Sequence, residues 1–350
     1  MRFAFDDDQL ALRDAVRDLL AKECPPEVVR TAWPEAPDDG GPRKGDGARV
    51  EARRLEQLWA ALADMGGLGV AVPEAHGGLG LGPVDWVLLA EEAGYAALPQ
   101  PFVETALVAA PTLAASGDHG DLVEAMVGGR AFAGASALFG AIPWGEEASI
   151  TLLLERRREW EVRIIEARLR ALDSVDASRR LAGIKSFAQT SMAARGREAE
   201  AAFDRGALGT AAQLVGLSRR MLDMTVAYVG ERRQFGAPIG SFQAVKHHLA
   251  DAALHLRFAA PAVYGAAWSL GTGQPTAGRD VSMAKALASD AARLAGRKAL
   301  QCHGAVGYTV EHDLHLYLKR AEALARAWGD AAWHRRRVAD ALGLGSGSGD

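Results

Sequence analysis

Two stretches of the chain carry side chains suited to a phosphorylated, flat-ringed ligand. From Tyr228 to Gln243 the sequence reads YVGERRQFGAPIGSFQ. The guanidinium of Arg232 suits a diphosphate through forked, charge-assisted hydrogen bonds, and a ring such as that of Phe235 packs against a flat base. Taken singly, Arg232 and Glu231 are an ordinary surface pair on a helix. From Gln301 to Glu311 the sequence reads QCHGAVGYTVE. Its glycines, Gly304 and Gly307, let the backbone come close to a phosphate and offer amides as donors. Other chemistry-bearing residues point to less. His247-His248 and the pair His312 and His315 have no H-E-x-x-H spacing and no carboxylate triad, so packing or surface roles suit them better than ligation. The glycines of Gly77-Gly78-Leu79-Gly80 fit neither G-x-G-x-x-G nor G-x-x-x-x-G-K and read as turn formers.

These residues sit on elements that the pattern of apolar positions outlines. Asp6 to Lys22 is a helix, with Leu12, Val16, Leu19 and Leu20 on one face. Asp6, Asp7 and Asp8 stand at its positive end, and Pro25-Pro26 stops it. Thr31 to Ala48 reads as an exposed loop, Glu51 to Met65 as a second helix, and Val84 to Tyr95 as a third. Between Gly128 and Leu181 the period changes. Trp160, Val162 and Ile164 alternate with Glu161 and Arg163, giving a half-buried strand, with weaker strands at Ile150–Leu154 and Arg168–Leu172. From Ala199 the chain is helical almost to its end, with a kink expected at Pro261 and a flexible LGLGSGSGD tail.

Composition narrows the class. With 49% hydrophobic and 24% charged residues the chain is an ordinary globular protein, and 350 residues suffice for two or three units around one large core. A net charge of -4 offers no general attraction to nucleic acid, and Arg335-Arg336-Arg337 reads as a solvated helix face. Cys24 and Cys302 have no zinc-like spacing, so no metal or disulfide framework is implied. The acidic start MRFAFDDDQ lacks signal-peptide features, and no stretch approaches the ~18 apolar residues of a membrane span, so the expected location is cytoplasmic.

The Tyr228–Gln243 and Gln301–Glu311 motifs, together with Pro73-Glu74, Gly77-Gly78-Leu79-Gly80 and Glu91-Glu92, resemble the acyl-CoA dehydrogenase family. The resemblance covers nearly the whole chain and is strongest over residues 59–101 and 216–330. It implies a mainly α fold with a small β-domain: an N-terminal helical domain over 1–125, a shortened middle β-domain over 126–198, a C-terminal helical domain over 199–342 and a tail over 343–350. It also implies FAD as cofactor, an acyl thioester as substrate and an oligomer in which Arg232, Phe235, Gln243, Gln301, His303, Gly304 and Ala305 reach the adenosine end of a neighbour's FAD. Ala305 stands where the family usually has a second glycine.

Departures from the family pattern are as informative. The family's dehydrogenases take the α-proton with a glutamate and pass the β-hydride to the flavin. Counting forward from Gly304 and Gly307, that glutamate falls on Trp328, and an indole has no lone pair basic enough for the task. Some members carry the base on an earlier helix; that position is Gly206. Asp204 and Asp330 lie two residues from these places, but a two-residue shift moves a helical side chain to another face. The segment RAFAGASALFGAIPWGEEAS lacks the family's hydroxyl cluster and glycine-serine-aspartate turn, and the whole middle region is about half the expected length. The expectation is therefore a non-base-bearing partner subunit, paired with a complete homologous subunit in a dimer or tetramer. A self-sufficient enzyme using Asp330 or Asp204, and a scaffold that binds no flavin, stand as alternatives.

Overall fold

The computed structural model describes residues 4–33, 46–138 and 140–344, with side chains in the second of these from residue 53. Most of the expected loop, residues 34–45, and the tail from residue 345 lie outside the described residues. Helix α1 (Asp7–Glu23) begins as its sequence demands. The Asp6 carboxylate accepts from the Gln9 backbone N–H at 2.8 Å, and the Gln9 side chain accepts from the Asp6 N–H at 3.0 Å. Pro25 and Pro26 end it and start the short α2 (Pro26–Thr31). Helix α3 (Asp46–Asp64) starts earlier than its apolar periodicity indicated.

Helix α4 (Pro83–Tyr95) is buried almost throughout and includes two buried carboxylates. Glu91 and Glu92 are matched by Arg219 at 2.6 and 2.8 Å, while Arg17 takes Glu92 at 2.8 Å and the Tyr264 hydroxyl donates to Glu91 at 2.6 Å. A π-helical segment, Val103–Ala109, runs straight into α5 (Ala110–Ser116), and α6 (Gly120–Val127) follows. The apolar run around Pro111 is thus a buried core segment, with Pro111 in the first turn of α5.

A five-stranded sheet comes next: β1 (Ala133–Ala137), β2 (Ile142–Pro143), β3 (Ile150–Arg156), β4 (Trp160–Ala171) and β5 (Leu181–Arg195), in the order β1-β3-β4-β5-β2. The strand expected at Arg168–Leu172 is the far half of β4. The sequence carries no sign of strand β5, because Lys185–Met192 is exposed on both faces and has no apolar alternation. Sheet and helices meet at an aromatic stack: Trp160 of β4 lies 4.3 Å from Phe203.

The remainder is helical. Helix α7 (Arg197–Glu231) leads through a hairpin of β6 (Arg233–Gln234) and β7 (Ala237–Pro238) into α8 (Gln243–Gly271). Then follow α9 (Ala277–His303), α10 (Leu314–Arg326) and α11 (Ala331–Ala341). Helix α8 is unbroken through Pro261. Helices α4 and α7 cross backbone to backbone. A Cβ at Gly94 would lie 2.1 Å from the Gln213 carbonyl oxygen, and one at Gly216 only 2.0 Å from that of Glu91, so only glycine permits the contact.

Candidate functional site

The turn between α10 and α11 carries Trp328, the residue on which the base was expected to fall. Trp328 has a left-handed backbone, φ +57°, which costs a bulky residue ~1–2 kcal/mol. Its indole is nonetheless 5% exposed and lies flat against α7 where Gly206 leaves room; a Cβ on Gly206 would come within 2.6 Å of the ring. The two places where a base was sought are therefore filled by one contact.

A buried polar frame fixes that turn. The Lys285 ammonium, fully buried on α9, reaches the carbonyl oxygens of Gly329 at 3.1 Å and Ala325 at 3.3 Å, and the Ser289 hydroxyl at 3.2 Å. Burial pushes its pKa down to about 7. The His334 Nε2 lies 2.9 Å from the Trp328 carbonyl oxygen, and its Nδ1 lies 3.0 Å from the Ser282 hydroxyl. A carbonyl only accepts, so Nε2 carries the proton and Nδ1 accepts from Ser282. Burial, aided by Lys285, pushes His334 down to about 3, which keeps it neutral. Neither Lys285 nor His334 was singled out from the sequence. Each lies on an ordinary amphipathic helix, and nothing local marks it as the support of a distant turn.

The two carboxylates nearest the base positions have other partners. Asp204 is buried and faces α11, where Arg337 holds its two oxygens at 2.5 and 3.2 Å and also reaches Glu200 at 2.8 Å. Burial pushes the Asp204 carboxyl up against the pull of Arg337. Asp330 caps α11, accepting from the Trp333 N–H at 2.7 Å, and that bond holds its carboxyl below the usual range.

On its other side Trp328 lines a cavity of about 930 Å³ between the sheet and α10. Ala135, Ser136 and Pro143 contribute from the sheet side, and Leu318 and Ala323 from α10. Strand β1 reads Ala-Gly-Ala-Ser-Ala, so Ser136 is its one hydroxyl. Below the cavity lies a buried ionic cluster that sequence reasoning missed. Arg179 pairs with Glu104 at 3.5 Å. Arg320 pairs with Asp176 and donates to the Ser178 hydroxyl at 2.6 Å and the Leu98 carbonyl at 2.7 Å. The cluster joins the π-helical segment, the loop before β5 and α10, so it clamps sheet to helices.

The phosphate-type motifs converge at the opposite end of α7 and α9. The Tyr228 ring stacks on His303, centroids 4.4 Å apart, and its hydroxyl lies 3.5 Å from the His303 carbonyl oxygen. That stack sets the turn after α7 beside the turn after α9. Arg232, Phe235, Gln243, Gln301, Gly304 and Ala305 are all exposed there, Phe235 at 92%. Gly304 adopts φ +63° with open space where a Cβ would project. His303 departs from the expected contact: its side chain is buried, with Nδ1 2.8 Å from the Ala299 carbonyl, so it supports the surface rather than forming it. His315 packs edge-on against Trp33, and both side chains are half-buried.

Comparison with known proteins follows the same lines. Residues 6–120 match the family model for the acyl-CoA dehydrogenase N-terminal domain, and residues 195–343 match that for the acyl-CoA dehydrogenase C-terminal domain. The acyl-CoA dehydrogenase IpdE2 of Mycolicibacterium smegmatis is 31% identical over 332 residues, covering 93% of this chain and 96% of that protein. IpdE2 of Mycobacterium tuberculosis is 31% identical over 321 residues, covering 91% and 92%. Among solved structures, a chain of the ChsE4–ChsE5 complex from Mycobacterium tuberculosis shares the fold, with a TM-score of 0.81 at 23% identity over 99% of this chain and 100% of that one.

Proposed function

This chain belongs to the acyl-CoA dehydrogenase family, and we propose that within it the chain is the partner subunit of a heteromeric enzyme, lacking a base of its own. The observation that carries this reading is the Trp328 indole seated on Gly206, which leaves no carboxylate at either place where the family's base is sought. Asp204 and Asp330 do not replace it, since one is held by Arg337 and the other caps α11.

What the chain keeps is a surface that fits the adenosine end of FAD. Arg232 would meet the diphosphate, Phe235 would lie on the adenine, and the open backbone at Gly304 would let amides approach. FAD, when bound, would supply the ring that accepts hydride during α,β-dehydrogenation of an acyl thioester. This chain's part is to bind and orient one end of that cofactor at an interface. Exposed apolar side chains on α8 and α9, among them Leu254, Phe258, Met283 and Leu287, supply a surface for a homologous subunit. The likeness to a chain of the ChsE4–ChsE5 complex supports pairing with an unlike homologue.

The test is to purify the chain alone and co-expressed with a homologous dehydrogenase, then measure flavin absorbance and thioester dehydrogenation. Flavin and activity should appear only in the mixed complex, at about one flavin per two chains, and Arg232→Ala should lower the flavin content. A yellow, active protein from the single chain overturns the proposal.

A further inference from the structure

Two runs of three arginines, far apart in the sequence, meet on the face of the molecule away from the adenosine motifs. One is Arg156-Arg157-Arg158, at the turn from β3 to β4; the other is Arg335-Arg336-Arg337, on α11. Three of these six guanidiniums have a carboxylate of their own. Arg157 holds Glu155 at 3.0 Å, Arg335 holds Asp290, and Arg337 holds Asp204 and Glu200. Arg156, Arg158 and Arg336 differ: all three are exposed, and no carboxylate among the described residues pairs with any of them. Arg156, from the β3–β4 turn, and Arg336, from α11, line one cleft of about 300 Å³ together with the half-buried Trp333 and the paired Arg337, and Asp340 is the lining's one carboxylate.

The composition of this cleft is that of an anion receptor. Two guanidiniums approaching from separate elements can each present a fork of N–H donors to a group with several oxygens, and neither must first leave a partner. Trp333 is held by its tilted contact with Phe203 at 5.1 Å and its edge contact with Trp160 at 6.4 Å, so it offers a fixed flat surface. We propose that the cleft binds a phosphate-bearing small molecule, its phosphates clasped between Arg156 and Arg336 with Trp333 as the surface for any attached ring. This site is separate from the one at Arg232 and does not depend on the subunit's proposed role.

Calorimetric titration of the full chain with inorganic pyrophosphate and with ADP tests this, in an Arg232→Ala background so that nothing is read from the adenosine surface. Saturable one-to-one binding is expected, weakening with added salt and falling about tenfold in Arg156→Ser or Arg336→Ser, as loss of one charge-assisted contact implies. Asp340→Asn should tighten binding by about threefold, since it removes a like charge beside the anion. ADP binding more tightly than pyrophosphate, with the difference lost in Trp333→Ala, marks a nucleotide as the source of the phosphate; equal affinities mark the phosphate group alone. Absence of saturable binding by both probes, or an affinity unchanged in the Arg156→Ser/Arg336→Ser double variant with its circular dichroism intact, overturns the proposal.

Discussion

At the scale of single residues, Trp328 and Gly206 behave as one unit. Gly206→Ala drives a methyl into the indole and should destabilise the protein by ~1–3 kcal/mol in urea unfolding. Trp328→Ala opens a hole and should cost ~3–5 kcal/mol. The double variant should lose less than the sum, with a coupling of at least ~0.5 kcal/mol, because the smaller residue at 328 makes room at 206; strict additivity would show that the two side chains do not meet. Lys285 gives the turn a pH signature. Its folded pKa of about 7 lies below the ordinary lysine value of 10.5, so between these pH values the unfolded chain binds the extra proton. Stability should therefore rise from pH 7 toward pH 9, by up to ~1.4 kcal/mol per pH unit from this group alone. Lys285→Met should remove that rise, which unfolding midpoints of the two proteins across this range will report. Counting along the sequence located positions 206 and 328 as two separate losses. That they are a single contact depends on packing between α7 and the turn after α10, which no local pattern encodes.

At the scale of elements, legibility followed periodicity. Helix α1 could be read from Leu12, Val16, Leu19 and Leu20 and from the acidic residues at its start, because both signals are local. Strand β5 could not be read, since eight successive exposed residues carry no alternation and the strand is defined by pairing with β4. The cluster of Glu104, Asp176, Arg179 and Arg320 was equally hidden, because its members come from three elements that only the fold assembles. It makes a prediction at this scale. Arg320→Met leaves Asp176 buried without its partner and should cost ~3–5 kcal/mol, and hydrogen exchange should quicken in residues 173–181 and in α10 together. Faster exchange in only one of the two would show that the cluster does not clamp them.

At the scale of the whole molecule, the exposed features fall into separate regions. The apolar surface of α8 and α9 and the motifs around Arg232 belong to different predictions. Phe258→Asp, which puts a charge where a 68%-exposed ring now stands, should reduce co-purification of a homologous subunit. Phe235→Asp should leave association intact and lower flavin content, as size-exclusion with light scattering and flavin absorbance will separate. The contact between Trp328 and Gly206 has one more consequence, for the routes by which such a chain can change. A glutamate entering at 206 meets the indole, and a glutamate replacing the indole leaves a void beside a glycine. Each single step toward a carboxylate at either position begins by damaging the core, so the pair acts as a ratchet: the same packing that stabilises the chain opposes the entry of an acid at 206 or 328.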